Sequence, residues 1–356
     1  MAERTSKHIK SVNLALQGGG AHGAFTWGVL DKIFEDGRIW IDAISGTSAG
    51  AMNAAVAAMG MYDGGGDGAR VELERFWRSV SNAGMLSPFQ VTPLDRATNN
   101  FSLDSSPGYV IMDLINRLAS PYDLNPTRMN PLRDLVNDFV DFERVRAAQD
   151  MEVYISATNV ETGRVRIFSR DEIDLDVIMA SACLPFMFHA VEIDGEYFWD
   201  GGYMGNPVLL PFMETSASDD IVIVQINPVH RAGEPRTARD ILNRVNEITF
   251  NASLLKELRM IKLIDELVDT GHGDTVRSRR MNIHMIESRK AMRQFSASSK
   301  LNTDWTFLTH LRDIGRNAAD RWINDNFEQI GVGSTLDLDG LFSGLAPAKK
   351  HVPRDS

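Results

Sequence analysis

The chain has 356 residues, 43% hydrophobic and 24% charged, and carries a formal net charge of -11. Such a composition supports a sizeable globular core and excludes fibrous or wholly disordered classes. The negative field repels polyanions, so nucleic acid is not an expected partner, whereas a local apolar or basic patch leaves peripheral membrane contact open.

One cysteine, Cys183, excludes an internal disulfide framework and fits a reducing compartment. No signal-like run precedes Gly18, and the best apolar stretch, residues 51–61, is too short to span a bilayer. The expectation is a cytoplasmic protein, at most peripheral to a membrane or lipid granule.

After a flexible leader over residues 1–10, residues 11–17 read as an apolar strand running into Gly18, and residues 24–34 have helical spacing. Residues 39–45 form a second strand, and an Ala-rich helix follows over 49–59. This βαβα order predicts an α/β fold with a parallel sheet covered by helices. The glycines and aspartates of residues 62–67 predict a loop that opens a helical insertion over 61–148, with short amphipathic pieces at 71–80, 109–118 and 131–139. This insertion is a candidate lid or pocket wall.

The sheet pattern returns in a hairpin over 152–168, a helix over 176–183, a second hairpin over 191–199 and a fully apolar strand over 221–226. A long helix over 237–268, a strand over 282–286 and a helix over 304–328 complete the core. The expectation is one domain over 11–330, with a tail over 331–356 that frays from Leu336 and ends in Lys349, Lys350 and Arg354.

Two glycine-rich turns carry the chemistry. Gly46-Thr47-Ser48-Ala49-Gly50 is a G-x-S-x-G motif, weak by itself, but it sits where an apolar strand ends and an Ala-rich helix begins. A sharp strand-turn-helix of this kind exposes a serine hydroxyl and aims a helix N-terminus at it. Gly18-Gly19-Gly20-Ala21-His22-Gly23 also follows a strand and opens a helix, so its amides can converge on a negative oxygen. Donors placed where charge develops in acyl transfer contribute about 3 kcal/mol each.

The same six residues satisfy G-x-G-x-x-G, with Asp42 placed as a ribose-binding acid. That dinucleotide-binding reading leaves residues 46–50 unexplained.

A nucleophile needs a base. The candidates are His22, His189, His230 or an acid, and Asp200 in Trp199-Asp200-Gly201-Gly202 ends an apolar strand where two glycines let backbone approach closely. A structural turn aspartate is the plain alternative. Cys183 has no cationic neighbour in sequence and reads as a small buried residue, as His189 reads as a core histidine. The histidines and carboxylates have neither zinc nor calcium spacing, so no metal or cofactor is expected.

Taken in order, residues 18–23, residues 46–50, Ala180-Ser181-Ala182-Cys183-Leu184-Pro185 and Asp200-Gly201-Gly202 resemble the four motifs of patatin-like phospholipases, over residues 14 to about 210. The resemblance implies a three-layer α/β/α catalytic domain and a Ser-Asp dyad, with Ser48 as nucleophile and Asp200 as base. It also implies an oxyanion hole from Gly19, Gly20 and Ala21, supported by Gly18, His22, Gly23, Gly46, Gly50, Gly201 and Gly202. One departure is His22, because the family pattern has Lys or Arg there, and a histidine is only partly charged near neutrality.

The implied function is hydrolysis of lipid acyl esters, of phospholipase A or lysophospholipase type, through an acyl-enzyme. An intracellular polyester or a thioester would use the same pair, and a catalytically silent membrane module is the non-enzymatic alternative. Because a free aspartate has a pKa of about 3.9, the base needs a dry pocket, for which Trp199, Phe198 and Phe186 are the expected walls.

Overall fold

Strands β1 (Lys10–Leu16) and β2 (Ile39–Gly46) pair in parallel, with Leu16 opposite Gly46. They are the centre of an eight-stranded sheet with β3 (Glu152–Asn159), β4 (Val165–Ser169), β5 (Val191–Ile193), β6 (Glu196–Asp200), β7 (Asp220–Gln225) and β8 (Asn282–Glu287). The order is β5-β6-β3-β2-β1-β7-β8, and β4 also pairs with β3. Strands β3, β2, β1, β7 and β8 run parallel, while β4, β5 and β6 supply the antiparallel pairings. The computed structural model describes residues 9–343 apart from 86, 93, 94, 96, 97, 99, 117 and 269–279.

Period-two alternation sorts the strand side chains onto two faces. Val12, Leu14, Leu16 and Ile44 pack beneath helices α1 (Gly23–Asp36), α2 (Ala49–Gly84) and, further along the chain, Trp305–Asn326, with Phe25, Ala54 and Leu311 in the same buried cluster. Ala15, Ala43, Ile221 and Ile223 face the opposite way, onto Leu254, Leu258 and Ile261 of helix Ala238–Leu267. Helices thus cover both faces, which is the three-layer α/β/α arrangement expected of a parallel-rich sheet.

Between α2 and β3 lie short helices, including α3 (Pro107–Asn116) and α4 (Pro131–Phe139). Pro131 occupies the first turn, where its missing N–H costs nothing, and the Asn130 side chain caps the Leu132 N–H. Val136 is buried, and Phe139 meets Phe76 of α2 edge-on at 5.5 Å, so α4 packs against the far half of α2. Helix α5 (Leu175–Ser181) follows β4, and the two long C-terminal helices are α6 (Ala238–Leu267) and α7 (Trp305–Asn326).

Two sequence expectations change. The loop predicted over 62–67 contracts to Gly64 and Gly65, the two residues of α2 with non-helical dihedrals, Gly65 having φ +61°. The chain reverses there, because Gly60 lies against Gly68 and Ala69 with no room for a side chain. The tail predicted to fray from Leu336 instead holds a short helix, α8 (Leu338–Phe342), whose Phe342 is buried with Leu254 and Leu258. The N–H groups of Thr335 and Leu336 both donate to the Ile283 carbonyl, at 3.1 and 3.0 Å. The leader before residue 9 and the basic end with Lys349, Lys350 and Arg354 lie outside the described residues.

Helices α1 and α7 approach through glycine. A Cβ added at Gly28 would run into the Arg312 carbonyl oxygen, and one added at Gly315 into that of Phe25. Neither obstacle is a side chain that can swing away. Substituting Gly28→Val is therefore expected to lower unfolding free energy by about 3 kcal/mol, the upper range for overpacking, with Gly28→Ala falling between it and wild type in a urea titration.

Candidate active site

The level at which β1 and β2 end brings the two glycine-rich turns side by side, since Leu16 and Gly46 are register partners. Gly46 is in turn opposite Ile155 of β3, and two residues further along β3 Ala157 is opposite Asp200. Three strands therefore deliver residues 18–23, Ser48 and Asp200 to one end of the sheet.

Ser48 is the N-cap of α2, with φ 54° and ψ -119°, dihedrals that a non-glycine residue rarely adopts. The turn is held from several sides. The Ser48 N–H donates to Ser181 Oγ at 2.9 Å, Thr47 Oγ1 donates to the Gly205 carbonyl at 2.6 Å, and the Gly50 N–H donates to the Thr47 carbonyl at 2.8 Å. Side chains at Gly46 or Gly50 would collide with the Gly50 and Leu16 carbonyls, respectively. The half-buried Ser48 side chain shares a cavity wall with Asp200 and is close enough to hold down the carboxyl's pKa.

Asp200 is 1% exposed. Its N–H donates to the Cys183 carbonyl at 2.8 Å, its carbonyl accepts from Thr158 Oγ1 at 2.9 Å, and its Oδ1 accepts the Gly202 N–H at 2.7 Å. Burial pushes its pKa up to about 6, against the opposing pull of the Gly202 amide, the Ser48 hydroxyl and the Lys300 charge. Gly201 and Gly202 have no space for side chains, as Ser156 and Phe250 fill it.

A cavity of about 240 Å³ joins these groups. Gly19, Gly20 and Ala21 line it opposite Ser48 and Asp200, and their N–H groups have no acceptor among the described residues. Amides without an acceptor in the same cavity as a hydroxyl are suited to a negative oxygen. Most of the remaining wall is apolar, from Met52, Phe76, Val80, Leu132, Leu184, Met187, Phe188 and Phe250. A chain of methylenes fits such a lining.

The walls differ from those expected. Phe186 is 70% exposed and lines a separate hollow with Trp199, and Phe198 is packed into the core against Phe168. Phe188 and Phe250 supply the dry surface instead. Alternation along β6 separates two of them, since Phe198 points into the buried cluster with Phe168 and Trp199 to the opposite face.

Of the remaining named residues, Gly18 donates its N–H to Asn206 Oδ1 at 2.7 Å, and Gly23 abuts Ala49 and Trp77 where α1 meets α2. His22 is buried away from the cavity, its Nε2 2.8 Å from Ser299 Oγ and its ring against Phe295 and Phe307. Burial and the Lys300 charge lower its pKa to about 3, so it is neutral and provides no charge at that position. His189 lines another hollow, its ring tilted against Tyr122 with centroids 4.0 Å apart, and the buried Cys183 thiol, held up at about 12 by burial and the Asp200 charge, donates to the His189 carbonyl. Asp42, the acid that a dinucleotide would need, is engaged by Ser216 Oγ and the N–H groups of Ala217 and Ser218.

A family model described as patatin-like phospholipase matches residues 14–213, more than half of the chain. The chain belongs to the patatin-like phospholipase family. It is accordingly a lipid ester hydrolase. No curated protein matches it in sequence. Among solved structures it is similar to VipD from Legionella pneumophila, at 16% identity and TM-score 0.36 over 87% of this chain and 67% of that one. It is also similar to the heterodimeric ExoU–SpcU complex from the type III secretion system of Pseudomonas aeruginosa, at 14% identity and TM-score 0.36 over 91% of this chain and 53% of that one, so it spans about half the length of that relative. Among the described residues no helix of this patatin-like chain is long and apolar enough to cross a membrane.

Sequence reasoning missed what holds the site together. Gln17 Oε1 accepts the N–H groups of Ile226 and Asn227, both at 2.9 Å, and Asn227 Nδ2 donates to the Gly18 carbonyl at 2.9 Å. Buried amides in an apolar strand carry no recognisable spacing. Ser181 did lie within a recognised motif, although nothing in its letters tied it to Ser48. Replacing Ser181 with Ala leaves the Ser48 N–H without its acceptor and is expected to cost about 1–2 kcal/mol of stability, measured by urea unfolding, while Ser181→Thr, which keeps a hydroxyl, loses less.

Proposed function

We propose that this patatin-like hydrolase cleaves lipid acyl esters by a Ser48–Asp200 dyad, as a phospholipase A or lysophospholipase. The observation that carries the reading is the placement of Ser48 and a buried, pKa-raised Asp200 in one apolar slot with three amides that have no acceptor among the described residues.

In the first half-reaction Ser48 Oγ bonds to the ester carbonyl carbon and its proton passes to Asp200, while the carbonyl oxygen takes up negative charge against the N–H groups of Gly19, Gly20 and Ala21. Collapse breaks the bond to the alcohol, which leaves with the proton from Asp200. In the second, water gives its proton to Asp200 and attacks the acyl carbon, and the fatty acid departs as Ser48 recovers the proton. A carboxylate with a pKa near 6 is a better proton acceptor than an ordinary aspartate yet is ionised at neutral pH.

Lipid access is supported by the apolar surface beside the slot. Leu118, Tyr122, Phe186 and Met204 are exposed around one hollow, and Val110, Ile111 and Leu114 are exposed on α3. Rings and aliphatic chains grouped in this way suit insertion among acyl chains at a membrane surface. Peripheral contact is therefore part of the reading.

The test compares wild type, Ser48→Ala and Asp200→Asn with a fluorophosphonate probe and a series of p-nitrophenyl acyl esters. Wild type is expected to label and to hydrolyse, Ser48→Ala to do neither, and Asp200→Asn to lose about 100-fold or more in rate. A wild type inert on every chain length would sink the enzyme reading, and a fully active Asp200→Asn would sink the dyad. Since the base must be ionised, kcat/KM is expected to plateau above pH 6 and to fall about tenfold per unit below it as Asp200 protonates.

A further inference from the structure

The cavity lining contains, among the described residues, two charged side chains, Asp200 and Lys300. Lys300 lies 87 residues beyond the end of the family match at 213, in the 3-10 turn Ser298–Leu301. That turn packs directly on the oxyanion loop: a side chain at Gly20, whose φ is +57°, would strike the Lys300 carbonyl. The ammonium is fixed as well, since Nζ donates to Asn227 Oδ1 at 2.8 Å and lies 5.2 Å from the centre of the Phe250 ring. Asn227 also holds the Gly18 carbonyl, so one amide sets the distance between the cation and the loop.

The environment gives this cation no carboxylate of its own. Glu247 on α6 faces it, but Glu247 is paired with Arg231 at 2.6 Å and Arg244 at 3.2 Å. Asp200 faces it from the end of β6 and accepts from the Gly202 amide, and His22 behind it is neutral. Its hydrogen-bond partner, Asn227, is uncharged. An ammonium has three donors, of which one is used here, and a desolvated cation with spare donors in the wall of an apolar slot is a place for an anion.

We propose that Lys300 is a specificity-determining residue that binds an anionic phosphodiester carried next to the scissile ester, so that the enzyme prefers phospholipids to neutral glycerides. This rests on the Ser48–Asp200 reading for where the ester lies. With the carbonyl oxygen at the amides of Gly19 to Ala21, an anion carried next to the ester meets Lys300, whose turn packs on Gly20 and whose ammonium lies by Phe250. The preference depends on the ammonium being charged. Burial lowers its pKa to about 8, with Glu247 and Asp200 opposing the shift.

Binding is tested apart from catalysis, in Ser48→Ala protein, by calorimetry with octyl methyl phosphate and with octanol. The phosphodiester is expected to bind about tenfold more tightly, with that margin lost in the Lys300→Met double variant and kept in Lys300→Arg. Equal affinity for the two ligands, or a margin that survives Lys300→Met, overturns the proposal. Turnover supplies a second readout, the ratio of kcat/KM for phosphatidylglycerol to that for diacylglycerol in mixed micelles. This ratio is expected to fall in wild type as pH rises through about 8 and to stay level in Lys300→Arg, whose guanidinium does not titrate there. Identical profiles for the two proteins overturn it. Should Ser48→Ala still hydrolyse these lipids while the calorimetric margin stands, the dyad reading fails and the anion site does not.

Discussion

Everything at the candidate site follows from two parallel strands stopping at the same level. Because Leu16 and Gly46 are partners across β1 and β2, the loop of residues 18–23 and the turn of Ser48 emerge as neighbours with no room to choose another arrangement. Side chains are excluded at Gly46 and Gly50 because backbone fills the space between the turns. The antiparallel pairing of β6 with β3 then sets the position of Asp200. The end of α5 and the residues just after it tie the two halves together, since Ser181 accepts from the Ser48 amide and the Cys183 carbonyl accepts from the Asp200 amide. Geometry at the site is therefore a property of the sheet and of one short loop.

The same end of the sheet is a compromise between dryness and charge. Burying Asp200 raises its proton affinity and opposes ionisation of the folded protein, a conflict that the Gly202 amide and the Lys300 ammonium relieve in part. His22 resolves its own burial differently, by remaining neutral among Phe295, Phe307 and Ser299. A charged residue at position 22 would face those rings, and in this chain the cation at the cavity is instead Lys300.

Much of the architecture was legible because it depends on local rules. Apolar runs ending in glycine gave β1 and β2, alternation gave the hairpins around Gly163 and Gly195, and the four motifs in order gave the family. The mistakes arose where tertiary contacts overrode local signals. Glycines at 64–66 read as a loop, yet helix continues on both sides of a two-residue reversal because Gly60 packs on Gly68 and Ala69. A polar tail holding one phenylalanine read as frayed, yet Phe342 finds a hydrophobic seat on α6. Phe186, adjacent to the third motif, read as a pocket wall and faces outward. Lys300 was illegible for another reason: its position depends on α6 and the strand after it returning the chain to the oxyanion loop, a contact across nearly three hundred residues that no spacing encodes.

The central strand has a further consequence. β1 has two neighbours, and one of them, β7 at Asp220–Gln225, follows the segment that carries all four motifs. In a polypeptide stopped after residue 213, Asn13 through Leu16 would present open N–H and C=O groups on an apolar strand, the kind of edge that recruits another chain. The segment that carries the family motifs is thus not a complete sheet by itself. A chain trimmed to its recognisable signatures would lack β7 and leave this edge of β1 open.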